Sequence, residues 1–320
     1  MNISDLVTRQ RRFFDTGATR PLSFRLDMLK RLRKALLENE ALFNEALKSD
    51  LNKSMMESYM SEIGMVLEEI RFHIKYLPRW IKDRKVRTPL AQFHAKSFIS
   101  PEPHGVTLII APWNYPLQLC LLPLVGAISG GNTAVVKPSA YAPATSAAIF
   151  KVLGDAFSAE YIAVVEGGRA ENNALLEEAF DYIFFTGSVA VGKVVMEKAS
   201  RHLTPVTLEL GGKSPVIVDE TADILLSARR IAFGKVLNAG QTCVAPDYLL
   251  IQESVKGAFI EAYETALQSF FPTLDYSDMP VIVNERHYAR LKGLLADQSI
   301  IVGGQTDDEK RFIAPTLLDE

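Results

Sequence analysis

The stretch GVTLIIAPWNYPLQLCLLPLVGAIS, residues 105–129, predicts a buried strand followed by a helix. GVTLIIA is a short apolar run of the kind that fills the interior of a sheet. The longer apolar run opens at Pro116, a residue favoured in the first turn of a helix. A strand, a turn and a helix in this order form the repeating unit of α/β proteins.

The same alternation continues toward the C-terminus. TAVVK, YIAVVE and DYIFF are predicted strands, whereas APATSAAIFKVLGDA, ENNALLEEAF and SVAVGKVVMEKASR are predicted helices, the last capped by Ser188. Short apolar strands that alternate with helices indicate a parallel, doubly wound sheet. After TLEL and PVIVD, a helix over residues 223–240 stops at Gly240, and a loop with Cys243 joins it to the strand YLLI.

The N-terminal part is predicted to be helical, because apolar residues such as Leu29, Leu32 and Leu36 recur at helical spacing. From about residue 88 to 103 the pattern turns extended, with prolines at positions 101 and 103. The chain therefore begins with helices, passes through an extended segment and then enters the α/β part.

Composition excludes several classes of protein. The net charge of -3 in 320 residues argues against a nucleic-acid or anionic-membrane partner, since either would call for a basic face. Two cysteines cannot form a disulfide framework, and no Cys/His cluster has zinc-ligand spacing, so no metal is expected. The N-terminus lacks an apolar signal core, and the longest apolar stretch is too short and broken to span a bilayer. The cytoplasm is the expected location.

Two polar features follow predicted strands at the sheet edge where α/β proteins bind ligands. Asn114, in APWNYP, follows the strand GVTLIIA; alternatively it only shapes the turn before Pro116. Gly187 and Ser188, in FFTGSVAVG, lie between a strand and a helix, with Gly192 inside the helix, where backbone N–H groups can meet a pyrophosphate. A plain strand-to-helix turn remains the alternative, because the spacing is not the usual G-x-G-x-x-G.

Two further features suggest covalent chemistry. Glu209, in TLELGGKSP, lies inside an apolar run, and partial burial would raise its pKa and suit it to general-base work. The alternative is a glutamate on the solvent side of its strand. Cys243 lies in the polar loop NAGQTCVAP, whereas a cysteine kept for packing normally lies in an apolar segment, as Cys120 does. A thiol, an amide donor, a candidate base and a phosphate-binding turn form one coherent set.

This set has a family resemblance. APWNYP, VVKPS, FTGSVAVG, ELGGKSP and GQTCVAPDY resemble, in this order, the motifs of the aldehyde dehydrogenase superfamily, from about residue 100 to the end of the chain. EPHGVTLIIAPWNYP and CVAPDYLL are most similar to its class three branch, which acts on medium and long aliphatic or aromatic aldehydes. The resemblance implies a Rossmann-like cofactor domain and an α/β catalytic domain of aldehyde dehydrogenase type.

The resemblance also implies the catalytic roles. Cys243 matches the nucleophile, which forms a thiohemiacetal and then a thioester, and the Asn114 amide and the Cys243 backbone N–H match the oxyanion donors. Glu209 matches the base that activates water. Relatives that transfer the acyl group to coenzyme A generally lack this glutamate, so the expected product is a free carboxylic acid.

The implied cofactor is NAD or NADP. Lys137 matches the lysine that reaches the adenine ribose, and many NAD-preferring relatives carry a glutamate three residues later, where this chain has Ala140. The substrate tunnel is expected to include Tyr115 and Leu119. The residues expected to contact the cofactor are Trp113, Lys137, Ser139, Gly187, Ser188, Gly192 and Leu210.

Domain organisation follows from the same resemblance. Residues 1–210 are expected to hold the helical N-terminus and the dinucleotide-binding domain, with 88–103 as an oligomerisation arm of a homodimer. Residues 211–320 are expected to be a partial catalytic domain, because family members usually continue well beyond RFIAPTLLDE. The alternatives are a truncated dinucleotide-binding protein with little turnover and a thiol esterase that needs no cofactor.

Overall fold

A computed structural model describes residues 2–273 and 275–319. The chain divides into two units that interleave along the sequence. The first unit comprises residues 1–43, 60–140 and 146–209. The second comprises residues 44–59, 141–145 and 210–320, so part of the N-terminal helical segment belongs with the C-terminal part of the chain.

The predicted helical N-terminus is present. Two of its helices begin at polar caps, since the Asn2 side chain accepts a hydrogen bond from the Asp5 N–H and the Ser54 side chain accepts one from the Glu57 N–H. Leu29, Leu32 and Leu36, which defined the helical spacing, are fully buried. The helices are α1 (Ile3–Asp15), α2 (Leu22–Glu38), α3 (Glu40–Leu51), α4 (Met55–Ser58), a π-helical turn (Tyr59–Ile63) and α5 (Gly64–Trp80).

The segment expected to be extended, residues 88–103, overlaps a hairpin that spans residues 84–99 and contains a short helical turn. Strands β1 (Arg84–Val86) and β2 (Ser97–Ile99) pair antiparallel, and a 3-10 turn (Leu90–Gln92) lies between them. The Thr88 hydroxyl closes the hairpin by accepting the Ser97 N–H at 3.0 Å. Between residues 88 and 103 the chain is extended at β2 and contains the 3-10 turn, which begins directly after Pro89.

The first unit contains the predicted parallel sheet. Its strand order is β5-β4-β3-β6-β7, and the β3–β4, β3–β6 and β4–β5 pairs are parallel. All residues of β3 and β4 are buried, as expected for strands covered on both faces. The α/β, doubly wound prediction is confirmed. Its elements are β3 (Val106–Ile110), α6 (Gln118–Gly130), β4 (Thr133–Lys137), α7 (Pro143–Ala156), β5 (Ile162–Val164), α8 (Arg169–Leu176), β6 (Tyr182–Gly187), α9 (Val189–Ser200) and β7 (Val206–Leu210).

The second unit is built around a parallel pair of strands and two packed helices. β8 and β9 pair in parallel, and the Ala228, Ala232, Phe259 and Tyr263 side chains form the core beneath them. No helix described within residues 2–273 and 275–319 is long and apolar enough to cross a bilayer. The elements are β8 (Ser214–Val218), α10 (Ile224–Val236), β9 (Pro246–Ile251), α11 (Glu253–Phe270), α12 (Glu285–Gly293), β10 (Ser299–Val302), β11 (Thr306–Asp307), β12 (Phe312–Ile313) and β13 (Leu317–Asp319).

Candidate active site

Three of the predicted loops lie at one edge of the five-stranded sheet. Asn114, Lys137 and Gly187 follow or end the neighbouring strands β3, β4 and β6, and parallel strands present their carboxyl ends at the same edge. The strand order reverses between β3 and β6, which is the point where doubly wound proteins bind ligands. The sheet thus brings together the loops that sequence reasoning assigned separately.

The Asn114 loop is held by a residue that lies far from it in the sequence. Helix α6 begins at Gln118, two residues later than expected, and Leu117 at its cap position supplies no side-chain cap. Glu62 supplies the acceptor instead: its Oε2 accepts the N–H groups of Leu117 at 2.8 Å and of Gln118 at 3.0 Å. Glu62 is fully buried, and sequence reasoning did not predict its role. Beside Asn114, Tyr115 is buried, whereas Trp113 and Leu119 are half-buried.

Lys137 ends strand β4 in a buried position. Its side chain is 2 % exposed, and Nζ donates to the Pro138 carbonyl at 2.6 Å. Burial lowers the pKa of Lys137, opposed by the nearby carboxylate of Glu171. Ser139 is half-buried and Ala140 is exposed, so this loop carries a cation and no acidic side chain at positions 137–140.

The turn between β6 and α9 has the predicted form. Ser188 caps α9, because its hydroxyl accepts the Val191 N–H at 3.4 Å and its carbonyl accepts the Gly192 N–H at 2.9 Å. Packing also requires glycine at position 187, since a Cβ there would lie 2.5 Å from the Phe185 ring. The first amides of α9 start at exposed positions, which fits a phosphate group at the helix N-terminus.

Of the two positions left open for Glu209, the structure has the solvent-facing one. Glu209 is exposed on β7, between the half-buried residues Leu208 and Leu210. The reason is the strand order, because β7 is the outer strand of the sheet and alternate side chains of an outer strand can face solvent. Glu209 is therefore an accessible carboxylate rather than a partly buried one.

The loop before Cys243 has an unusual backbone. After α10, three consecutive residues adopt left-handed conformations: Asn238 and Ala239 at φ 50° and Gly240 at φ 70°. Left-handed geometry suits glycine but costs about 1–2 kcal/mol for a residue such as alanine. Gly240 has the left-handed conformation expected of a glycine that follows a helix, but helix α10 already ends at Val236, four residues earlier than predicted.

Side-chain hydrogen bonds hold this turn within the second unit. The Glu57 Oε1 accepts the Asn238 N–H at 2.7 Å, and the Gln241 amide donates to the Asn238 and Val281 carbonyls, each at 3.0 Å. Gln241 Oε1 also accepts the Val283 N–H at 3.1 Å. Sequence reasoning missed Glu57, whose partner lies 181 residues away.

The two cysteines have opposite environments. Cys243 is exposed, whereas Cys120 is fully buried in α6. Burial raises the pKa of the Cys120 thiol to about 12, which keeps it protonated and inert. The expectation that Cys120 belongs to the core is confirmed. The carbonyl of Cys243 lies close to Gly212, where a Cβ would come within 2.5 Å of it.

Comparison with known proteins identifies the family. The model of the aldehyde dehydrogenase family matches residues 2–320, which is nearly the whole chain. The chain belongs to the aldehyde dehydrogenase family. This assigns it to the oxidoreductases that act on aldehydes and confirms the family resemblance seen in its motifs.

Individual family members are similar over most of this chain. A 4,4'-diaponeurosporen-aldehyde dehydrogenase of Staphylococcus aureus is 50 % identical over 311 residues, which are 96 % of this chain and 68 % of that protein. A dimeric NADP-preferring aldehyde dehydrogenase of Canis lupus familiaris is 43 % identical over 319 residues, which are 99 % of this chain and 70 % of that protein. The substrate-bound structure of Staphylococcus aureus AldH is also similar, with a TM-score of 0.96 and 48 % sequence identity. The match covers 99 % of this chain and 70 % of the AldH chain.

Proposed function

We propose that this protein oxidises an aldehyde to a carboxylic acid with NAD or NADP, through a covalent intermediate on Cys243. The observation that carries the proposal is the exposed Cys243 thiol on a loop with a fixed left-handed turn, in a chain of the aldehyde dehydrogenase family. A nucleophile is needed because an aldehyde carbon releases hydride only after it has become tetrahedral.

The first half of the reaction builds the thioester. The Cys243 thiolate adds to the carbonyl carbon, a C–S bond forms, and the carbonyl electrons move to oxygen. The Asn114 amide and the Cys243 backbone N–H donate to this oxyanion, and each such donor typically lowers the barrier by about 3 kcal/mol. A nicotinamide held beside the Leu210 carbonyl would supply the hydride acceptor. Loss of hydride from the tetrahedral carbon re-forms the C=O bond and leaves a thioester on Cys243.

The second half releases the acid. Glu209 accepts a proton from water, the hydroxide adds to the thioester carbon, and the C–S bond breaks to return the Cys243 thiolate. The exposure of Glu209 gives water direct access to the carboxylate. The product is a free carboxylic acid.

The cofactor is assigned to the β3–β4–β6 edge of the sheet. Lys137 would pair with the adenine ribose or its 2′-phosphate, and the start of α9 at Gly187, Ser188 and Gly192 would hold the pyrophosphate. The nicotinamide side is assigned to the Leu210 carbonyl. Trp113 and Ser139 complete the expected contacts.

The substrate is proposed to be a long apolar or aromatic aldehyde, bordered by Tyr115 and Leu119. The support is the 50 % identity to a relative that is named for a diaponeurosporen aldehyde.

We also propose a homodimer, because a relative with 43 % identity is named dimeric and the hairpin exposes Leu90 and Phe93. A cofactor-independent thiol esterase is the second candidate activity, favoured by the same exposed thiol.

The test compares three variants with the wild type, using an aliphatic aldehyde and each cofactor. Cys243→Ala should abolish reduced-cofactor formation and ester hydrolysis but leave cofactor binding intact, while Cys120→Ala should stay active. Glu209→Gln should release one equivalent of reduced cofactor in a burst and then turn over slowly. Dehydrogenase activity of Cys243→Ala within about tenfold of the wild type would refute the mechanism. Ester cleavage without aldehyde oxidation would favour the esterase.

A further inference from the structure

We infer that three carboxylates within one short stretch, Asp50, Glu57 and Glu62, are positioning residues, each of which holds one loop of the proposed active site by its backbone. The inference rests on the proposed function, because the importance of the three loops comes from it. The contacts themselves are independent of that function. Each contact lies within one of the two units.

Glu62 holds the Asn114 loop. Its carboxylate is fully buried and accepts two successive N–H groups at the start of α6, at 2.8 and 3.0 Å. These amides belong to Leu117 and Gln118, three and four residues after Asn114. A negative charge at a helix N-terminus is favourable, and the local sequence provides no cap of its own. The direction in which the loop enters α6 therefore depends on Glu62.

The helix that carries Glu62 is itself irregular. A π-helical turn, Tyr59–Ile63, interrupts the helical run between α4 and α5. Such wide turns are rare and are frequently found at functional sites, where they redirect one side chain. Here the turn contains the Glu62 carboxylate.

Glu57 holds the loop that leads to Cys243. Its Oε1 accepts the Asn238 N–H at 2.7 Å, and Asn238 is fully buried at φ 50°. The Asn238 side chain in turn donates to the Gln241 carbonyl at 3.1 Å. A left-handed non-glycine residue persists only where its surroundings fix it, so Glu57 is one of the groups that keep this turn in place.

Asp50 holds the start of the helix after the Lys137 loop. Its carboxylate accepts the N–H groups of Ala144 at 3.1 Å and Thr145 at 2.7 Å, and the Thr145 hydroxyl at 2.7 Å. Asp50 is only 8 % exposed, which strengthens these bonds. The pattern is the same as at α6: a buried acid from the N-terminal helices caps a helix that follows a functional loop.

The experiment removes each carboxylate in turn and measures three separate properties. Alanine variants of Asp50, Glu57 and Glu62 remove the acceptor, and the Asn or Gln variants keep an oxygen without the charge. Glu68→Gln is the matched control, since Glu68 is exposed and pairs along its own helix with Arg71. The measurements are the kcat of p-nitrophenyl acetate hydrolysis, the rate of Cys243 alkylation by iodoacetamide, and the Kd of NAD and NADP.

Each variant should change a different property. Glu62→Ala should lower the esterase kcat by roughly 30- to 100-fold, the scale of a misplaced oxyanion donor, with alkylation and cofactor Kd nearly unchanged. Glu57→Ala should change the Cys243 alkylation rate by about fivefold or more, because a nucleophile's reactivity follows its local environment. Asp50→Ala should raise the cofactor Kd by about fivefold or more without affecting alkylation. Glu62→Gln should retain most of the activity lost in the alanine variant.

Amide hydrogen exchange separates this inference from the proposed function. Glu62→Gln and Glu62→Ala should speed exchange in the peptide that contains Leu117 and Gln118, whether or not the chain turns over aldehydes or esters. An inactive wild type would refute the proposed function, but the exchange rates of the Leu117 and Gln118 amides would still test whether Glu62 holds this backbone. Variants that only lose thermal stability, with normal kinetics and normal local exchange once folded, would show that the carboxylates are merely structural and would overturn the inference. An equal change in all three properties would overturn it too.

Discussion

Gly211 and Gly212 are adjacent in the sequence, but of the two only Gly212 approaches the Cys243 loop. An ideal Cβ on Gly212 would lie 2.5 Å from the Cys243 carbonyl oxygen, whereas real Cβ atoms essentially never come within 3.0 Å of such an atom. A Cβ on Gly211 would meet nothing within 4 Å. Neither residue has a left-handed φ, so backbone strain does not distinguish them. We predict that Gly212→Ala impairs every reaction of Cys243 and that Gly211→Ala does not.

The size of the effect follows from the distance. To relieve the contact, the Gly212 backbone or the Cys243 backbone must move by at least about 0.5 Å, since an overpacked site resolves its contact by a backbone shift. A misplacement of 1 Å at a reacting group can cost about 10²-fold in rate, so half of that shift should cost roughly tenfold. Overpacking should also lower the free energy of unfolding by about 1–3 kcal/mol.

The assay must not depend on the cofactor, because Leu210 and its neighbours are assigned to the nicotinamide. Hydrolysis of p-nitrophenyl acetate and alkylation of Cys243 by iodoacetamide both meet this condition. Gly211→Ala is the matched control, with the same chemical change one residue away. A Gly212→Ala protein that is folded and reacts within about twofold of the wild type would show that the Cys243 backbone is not constrained by this contact.

Three further predictions follow from other parts of the chain. Ala239→Gly should raise the free energy of unfolding in urea by about 0.5–1 kcal/mol, because relief of left-handed strain exceeds the added unfolded-state entropy; a loss of stability would contradict this. NADP should be used within about tenfold of NAD in kcat/KM, since Ala140 cannot repel a 2′-phosphate, and a hundredfold preference for NAD would contradict this. Burial raises the pKa of Cys120 and Tyr263 to about 12, so the unfolded chain loses these protons first and stability should fall above pH 9. Unfolding measured from pH 8 to 10.5 should show this fall, and Cys120→Ala should reduce its slope by up to about 1.4 kcal/mol per pH unit.

The features that were predicted correctly from the sequence depend on neighbouring residues. The strand Val106–Ile110 is a continuous apolar run, and the Ser188 cap lies three residues from its partner Val191, so both signals lie within one short window. Cys120 and Cys243 were distinguished in the same way, by the polarity of the residues beside each. Local patterns carry this information because burial and capping act over one or two turns of chain.

The features that were missed depend on residues that lie far apart in the sequence. Glu62 lies 55 residues from Leu117, and Glu57 lies 181 residues from Asn238, so no local pattern links them. The exposure of Glu209 could not be decided from the sequence for a related reason. TLEL has the composition of an inner strand, but its place at the edge of the sheet is set by the strand order rather than by its own residues.

The conformation of the Cys243 loop cannot be understood from residues 211–320 alone. Its left-handed turn is held by Glu57, and the Val281 carbonyl that anchors Gln241 belongs to a segment whose own N–H donates to the Leu51 carbonyl at 2.9 Å. Residues 44–59 accordingly belong to the same unit as the loop. The turn contains strained residues, and strain persists only where the surrounding contacts fix it. The helical residues 44–59 are therefore part of the unit that presents the thiol, although nothing in their own sequence suggests chemistry.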